Sequence, residues 1–182
     1  MRYLLVGKGD DNPSTRYRLK PLAARLDQLG HTVNFSVSEL GPGGKAGLLS
    51  AASRSDVVIV QRKLFGGLFV RALRACCSNI VFDFDDAVFA NSDGSGSLTR
   101  ERRFAEIVGA ACRVWAGNRY LAAAAEAHGA EAYVLPTAVR ADHYDLVERK
   151  HDSFTLVWIG GRSPSRYLQA YRPALEAVRK AC

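Results

Sequence analysis

The chain has 182 residues, of which 48% are hydrophobic and 24% charged, and its formal net charge is +7. This usage excludes a disordered, collagenous or coiled-coil chain and leaves room for one domain, or for one domain and part of a second. No apolar run approaches the ~18 residues of a membrane span, and the run near the N-terminus is too short for a signal peptide. We therefore expect a cytoplasmic protein.

The positive charge comes from arginine, with 19 Arg against 6 Lys spread along the chain. A basic surface attracts phosphate, whether in a nucleotide, in nucleic acid or in the headgroups of an anionic membrane. Nucleic acid is not expected, because there is no zinc-finger spacing, no aromatic RNA-binding strand pattern and no Lys/Arg run longer than two. Peripheral contact with an anionic membrane stays open.

The four cysteines, Cys76, Cys77, Cys112 and Cys182, are predicted to be free and buried. There is no Cys-x-x-Cys pattern, and no pair of histidines has the spacing of metal ligands. We expect neither a metal site nor a cofactor.

Short apolar runs alternate with amphipathic segments along the whole chain. Strands are predicted at residues 3–6, 32–37, 57–60, 80–84, 113–116 and 132–135, and helices at 14–29, 46–52, 66–77, 99–110 and 119–128. The strand runs are largely apolar, which is typical of strands that are covered on both faces. The pattern predicts an α/β fold with a parallel sheet, the first strand central, and all carboxyl ends at one edge, where ligands bind.

A boundary is predicted after Pro136, so that residues 1–137 form the first domain. Residues 138–153 have no apolar period and many charges, which indicates a linker. A strand at 154–159 and a helix at 165–181 would then be the first β-α unit of an incomplete second domain, 154–182. Since an unpaired apolar strand tends to pair with another chain, we expect self-association or partner binding through this segment.

The loop after the first strand carries Gly7 and Gly9 ahead of a predicted helix. Glycine allows the backbone to approach a ligand, and Ser14 can cap the helix, whose N-terminus favours anions. The loop is not Gly-x-Gly-x-x-Gly, because Asn12 stands at the third glycine position, and it has no phosphate-loop lysine pattern. A helix-capping turn and a ligand-binding loop both remain open.

Three carboxylates, Asp83, Asp85 and Asp86, lie at the end of the strand predicted at 80–84. They repel one another unless cations or hydrogen-bond donors compensate, which favours a ligand, an arginine or a metal nearby. The alternative is that Asp85 or Asp86 only caps the next turn. Asn118, which can also cap the following helix, and Thr137 follow two further strands and are expected at the same edge.

A set of short segments together resembles a known family: residues 14–18, 29–31, 56–61, 82–89, 117–121, 134–137, 157–161 and 167–168. In this chain order they resemble the N-terminal half of a GT-B glycosyltransferase of the GT4-like (group 1) type. The resemblance implies two Rossmann-like domains, each a parallel sheet with helices on both faces. The first would bind a sugar or lipid acceptor and the second a nucleotide-sugar donor, and glycosyl transfer would need no obligatory metal.

The resemblance also assigns residues to the two sides of the site. On the acceptor side they are Gly9, Ser14, Arg16, Asp85, Asp86, Asn118 and Thr137, and on the donor side Gly160, Gly161 and Arg162. Backbone amides and arginine are suited to a diphosphate. No residue is assigned a catalytic role.

The sequence departs from the family in the second domain, where it lacks the Glu-x7-Glu motif. We therefore expect these 182 residues to bind an acceptor without transferring sugar on their own, and a non-catalytic binding module or a split half of a transferase stays open.

A third interpretation is a haloacid-dehalogenase-like phosphatase, because residues 83–88 resemble its Asp-x-Asp loop. Asp83 would then be the nucleophile and Asp85 the acid/base, with magnesium.

Overall fold

The structure is a computed structural model that describes residues 1–38, 41–139, 155–159 and 165–181. The strands are β1 (Arg2–Gly7), β2 (Thr32–Val37), β3 (Val57–Gln61), β4 (Ile80–Phe84), β5 (Arg113–Ala116) and β6 (Ala132–Val134). The α-helices are α1 (Lys20–Gln28), α2 (Pro42–Ala52), α3 (Gly67–Cys76), α4 (Leu98–Ala110), α5 (Arg119–Glu126), α6 (Ser165–Ala170) and α7 (Arg172–Ala181), and a π-helix, Thr15–Leu19, precedes α1. The chain divides into two compact units, Met1–Arg140 and Ala141–Cys182.

The six strands form one parallel sheet in the order β2-β1-β3-β4-β5-β6. This confirms the predicted α/β class with a Rossmann-like sheet flanked by helices. The prediction that the first strand is central is wrong, because β3 and β4 occupy the middle and β1 lies second from one edge. The chain leaves β1 toward β2 on one side and returns to β3 on the other. The connections therefore diverge between β1 and β3, which is where a sheet of this kind leaves a crevice for ligands.

The sheet buries both faces, but unequally. Side chains at alternate strand positions pack on one face against α2 to α5, in a cluster where the rings of Phe82 and Phe84 are stacked and that of Phe104 meets both edge-to-face. The other face is a smaller cluster of Leu5, Ile59 and Val81, covered by the π-helix and α1. The larger cluster holds the sheet together, while the smaller one leaves space beside α1.

Several predicted boundaries changed. The helix predicted at 14–29 starts as the π-helix and becomes α-helical at Lys20, whose N–H bonds to the carbonyl of Thr15. Pro21 has no N–H and cannot complete an α-helical bond to residue 17, which favours the wider turn. Residues 155–159 of the strand predicted at 154–159 are not in a strand; they pair with no other strand of the described chain, and a strand needs a partner ladder.

Three cysteines, Cys76, Cys77 and Cys112, are free as predicted, but Cys112 is exposed and Cys76 only half-buried. Cys182 and most of the predicted linker 138–153 lie outside the described residues. None of the helices in the described ranges is long and apolar enough to cross a membrane.

Candidate functional site

A charged cluster lies where β1, β3 and β4 end. Arg62 Nη1 donates to Ser14 Oγ at 2.6 Å and lies 3.5 Å from Asp85 Oδ1, while its Nη2 pairs with Asp86. Ser14 Oγ donates in turn to Asp85 Oδ2 at 3.0 Å. The two carboxylates thus share one guanidinium, and Asp85 also accepts from the Ser14 hydroxyl. The prediction that Ser14 and Asp86 lie at the same edge of the sheet is confirmed.

Arg62 was not singled out from the sequence. Among the described residues it is the one non-glycine residue with a positive φ, +57°, a conformation that costs of order 1–3 kcal/mol and that is concentrated at functional sites. Its backbone N–H donates to the carbonyl of Asp83 at 2.8 Å, so β3 and β4 are still hydrogen-bonded to each other at the residue where the turn begins. This turn aims the side chain back across the strand ends toward Ser14 and the two carboxylates.

Gly117 lies directly against Asp85. A Cβ at Gly117 would be 3.0 Å from Asp85 Cα and 3.3 Å from its Cβ, and the Gly117 N–H donates to the carbonyl of Phe84 at 2.9 Å. The end of β5 therefore fixes the backbone that carries the Asp85 carboxylate.

We expect Gly117→Ala to destabilise the fold by about 1–3 kcal/mol, as overpacking at backbone contacts usually does. Gly109→Ala is the matched control: no described atom beyond its own helical backbone lies within 4 Å of its added Cβ, and alanine in the last turn of α4 should be neutral or stabilising by up to about 1 kcal/mol. Urea unfolding of both variants measures the difference. A Gly117→Ala protein as stable as the parent would show that this contact imposes no constraint.

A buried network lies next to the cluster, on the face covered by α1. Arg18 and Asp83 form an ion pair with side chains only 4% and 2% exposed, in which Arg18 Nε donates to Asp83 Oδ2 at 3.0 Å. Arg18 Nη1 also donates to the carbonyl of Leu135 at 2.8 Å and to Thr137 Oγ1 at 3.0 Å. Burial alone would lower the pKa of Arg18, but its hydrogen bonds to Asp83 and the charges of the aspartates raise it overall. The pair ties the ends of β4 and β6 to the π-helix.

Gln61 links this network to the charged cluster. Its Nε2 donates to Asp83 Oδ2 at 3.2 Å and to the carbonyl of Ser14 at 3.1 Å, and its Oε1 accepts from Thr15 Oγ1 at 3.2 Å. Gln61 and Thr15 are both buried. The last residue of β3 therefore sets the position of Ser14 relative to the aspartates.

The structure brings together only part of the predicted acceptor side. Capping of the helix by the Ser14 side chain, one of the two alternatives left open for this loop, does not occur, because the hydroxyl is taken up by Arg62 and Asp85. Arg16 is exposed, and its guanidinium lies 4.9 Å from the ring centre of Tyr17. Gly9, at φ +107°, lines a small cavity with β2 rather than the charged cluster.

Asn118 and Thr137 are engaged in local contacts. The Asn118 side chain accepts from the N–H of Leu121 at 2.9 Å and so caps α5. Thr137 is a partner of Arg18, and Arg18 lines an apolar groove of about 490 Å³ beside α1 whose lining includes Trp115. Gly160, Gly161 and Arg162 lie outside the described residues.

The geometry counts against the phosphatase interpretation. The aspartate that would be the nucleophile, Asp83, is 2% exposed and held by Arg18 and Gln61, so it cannot reach a substrate phosphate in this structure. In the part of the chain that the structure describes, no three His, Cys, Asp or Glu side chains are arranged to hold a metal ion. Asp83 is a structural residue, and the polar site is the cluster of Ser14, Arg62, Asp85 and Asp86.

No family model matches the chain, and no curated protein matches it.

Proposed function

We propose that this chain is the acceptor-binding part of a GT-B-like glycosyltransferase, acting in the transfer of a glycosyl group from a nucleotide-sugar donor to a sugar or lipid acceptor. The observation that carries the proposal is the cluster of Ser14, Arg62, Asp85 and Asp86 at the divergence of β1 and β3. It lies at the position in a Rossmann-like sheet where ligands bind.

The chemistry of the cluster suits a polyhydroxylated ligand. Carboxylates accept hydrogen bonds from sugar hydroxyls, and a guanidinium donates several in a fixed plane. Asp85 is held by Ser14 and Arg62 with its side chain 20% exposed, whereas that of Asp86 is 65% exposed. One carboxylate is thus held in place before binding and the other is open to solvent. Groups that are already ordered lose less entropy when a ligand binds.

A binding module without transferase activity would use the same cluster. The discriminating measurement is turnover: sugar transfer by the purified 182-residue chain would contradict the expectation that these residues bind without transferring. The residues of the cluster are proposed as ligand-binding groups, and none is assigned to the chemical step.

We expect Asp85→Asn to weaken sugar binding by at least about tenfold, because a hydrogen bond to a charged group contributes about 1.5–3 kcal/mol. The probe is a set of free neutral sugars observed by saturation-transfer NMR and ranked by titration. Asn keeps the size of the side chain and its bond to Ser14, so the change is mainly in charge.

Asp56→Asn is the matched control. Asp56 is also an aspartate beside an arginine, Arg2, but it lies at the opposite, amino-terminal edge of the sheet. Sugar binding that falls equally in both variants, or that is unchanged in Asp85→Asn, would overturn the proposed site.

A further inference from the structure

A cavity of about 390 Å³ borders the charged cluster and is lined almost entirely by cationic and hydroxyl side chains. Its cations are Lys8, Arg62, Lys63, Arg100 and Arg103, and none of the described acidic residues lines it. Ser97 and Thr99 add two hydroxyl groups. The cavity is therefore a concentration of positive charge, unlike the carboxylate-rich cluster beside it.

Three segments that are far apart in the sequence build this cavity. Lys8 comes from the loop after β1, Arg62 and Lys63 follow β3, and the remaining polar groups come from the beginning of α4. The side chain of Arg100 is held in place, because its Nη1 donates to the carbonyl of Val88 at 3.2 Å. The fold thus collects these cations from separate elements.

Most of the positive charge of this cavity has no carboxylate partner among the described residues. Within the described ranges no carboxylate lies within 4 Å of the side-chain nitrogens of Lys8, Lys63 or Arg103. Arg62 is paired through its two terminal nitrogens, but its buried Nε has no hydrogen-bond partner among the residues that the structure describes. Like charges gathered in this way repel one another, and an anion between them would remove the repulsion.

A phosphate group matches these donors. It offers several oxygens to point charges such as Lys and to the planar fork of Arg, and hydroxyl groups such as those of Ser97 and Thr99 commonly complete such contacts. The volume is within the range of small-molecule sites, about 300–1,000 Å³, and exceeds what a free phosphate ion needs. The size therefore favours a phosphate ester over the ion alone.

We infer that this cavity binds the phosphate group of a ligand whose remaining part lies at the Asp85–Asp86 cluster. Arg62 belongs to both sites, since it lines the cavity and pairs with both aspartates. Combined with the proposed function, on which this last step rests, the inference makes the acceptor a phosphate-bearing molecule, either a soluble phosphate ester or a phospholipid headgroup.

Titration calorimetry with inorganic pyrophosphate tests the cavity directly. The parent chain should bind with one-site saturation, and Lys63→Gln/Arg103→Gln should lose at least about tenfold in affinity, because two charge-assisted contacts are removed. Arg102→Gln is the control: Arg102 is an exposed neighbour on α4 that pairs with Glu106 and does not line the cavity. The affinity of the Arg102→Gln variant for pyrophosphate should stay within about twofold of that of the parent chain, as for an ordinary surface change. Lys63→Arg, which keeps the charge, should retain binding.

A second arm distinguishes the sources of the phosphate. Sedimentation with phosphatidylcholine vesicles, with and without phosphatidic acid, reports a lipid phosphate, and calorimetry reports a soluble one. Binding in either arm that is lost in the double variant and kept in Arg102→Gln supports the site. Binding in neither arm, or an equal loss in Arg102→Gln, overturns it. The neutral-sugar test of Asp85→Asn does not involve this cavity, so each proposal can fail without the other.

Discussion

Arg18→Leu is expected to destabilise the fold by about 3–5 kcal/mol, because it leaves Asp83 buried without its cation. Asp83 would keep one hydrogen bond, from Gln61 Nε2 at 3.2 Å, but would lose its contacts with the guanidinium. The carbonyl of Leu135 and the hydroxyl of Thr137 would lose a donor as well. Urea unfolding followed by circular dichroism measures the change.

The double variant Arg18→Leu/Asp83→Leu separates a buried charge from lost packing. Replacing both members of a buried pair by apolar residues is often neutral or even stabilising by about 1–4 kcal/mol, so the double variant should recover much of the stability lost in Arg18→Leu. Arg25→Leu, at an exposed position of α1, is the control and should change stability by less than about 0.5 kcal/mol. If Arg18→Leu is within about 1 kcal/mol of the parent, the pair does not hold the strand ends in the way we describe.

The fold could be predicted from the sequence because its strands are unusually clear. The bounds of β2, β4 and β5 match the predicted segments, and each strand is followed at once by Ser, Asp or Gly. The order of the strands could not be predicted in this way, because periodicity identifies a strand but does not say on which side of β1 the next crossover places it. The π-helix was missed for a similar reason, because its apolar spacing is that of the predicted α-helix.

The candidate site was predicted only in part. Asp85 and Asp86 stand out because acids directly after a buried strand need compensation. The compensating Arg62 was missed, although it follows β3 in the same way, because one sequence does not tell which of 19 arginines meets which acid. Arg16 and Arg18 show why a single sequence does not identify the partner of an arginine. They are two residues apart on a helical segment and point to different sides, so Arg16 is exposed while Arg18 forms the buried pair with Asp83.

The unit Ala141–Cys182 carries apolar side chains that are exposed in the structure. Val157 is 75% and Ile159 92% exposed, and Leu156, Trp158 and Tyr171 are also exposed. By contrast, the core residues of the sheet all belong to the unit Met1–Arg140. We therefore expect the chain truncated after residue 140 to stay folded, because it keeps the whole described core of the sheet.

The same exposure predicts that the 182-residue chain self-associates and that the truncated chain is monomeric. Burying a Val or Ile side chain is worth about 1.5–3 kcal/mol, so Val157→Ser/Ile159→Ser should weaken association at least about a hundredfold. Gln169→Ser, at an exposed polar position of α6, is the control and should leave the strength of self-association unchanged. Sedimentation velocity over a range of concentrations measures all four proteins. If residues 1–140 still associate, our assignment of self-association to the second unit is wrong. The cause would then lie in the first unit, where the first candidate is the edge strand β6 with its half-exposed Tyr133 and Val134.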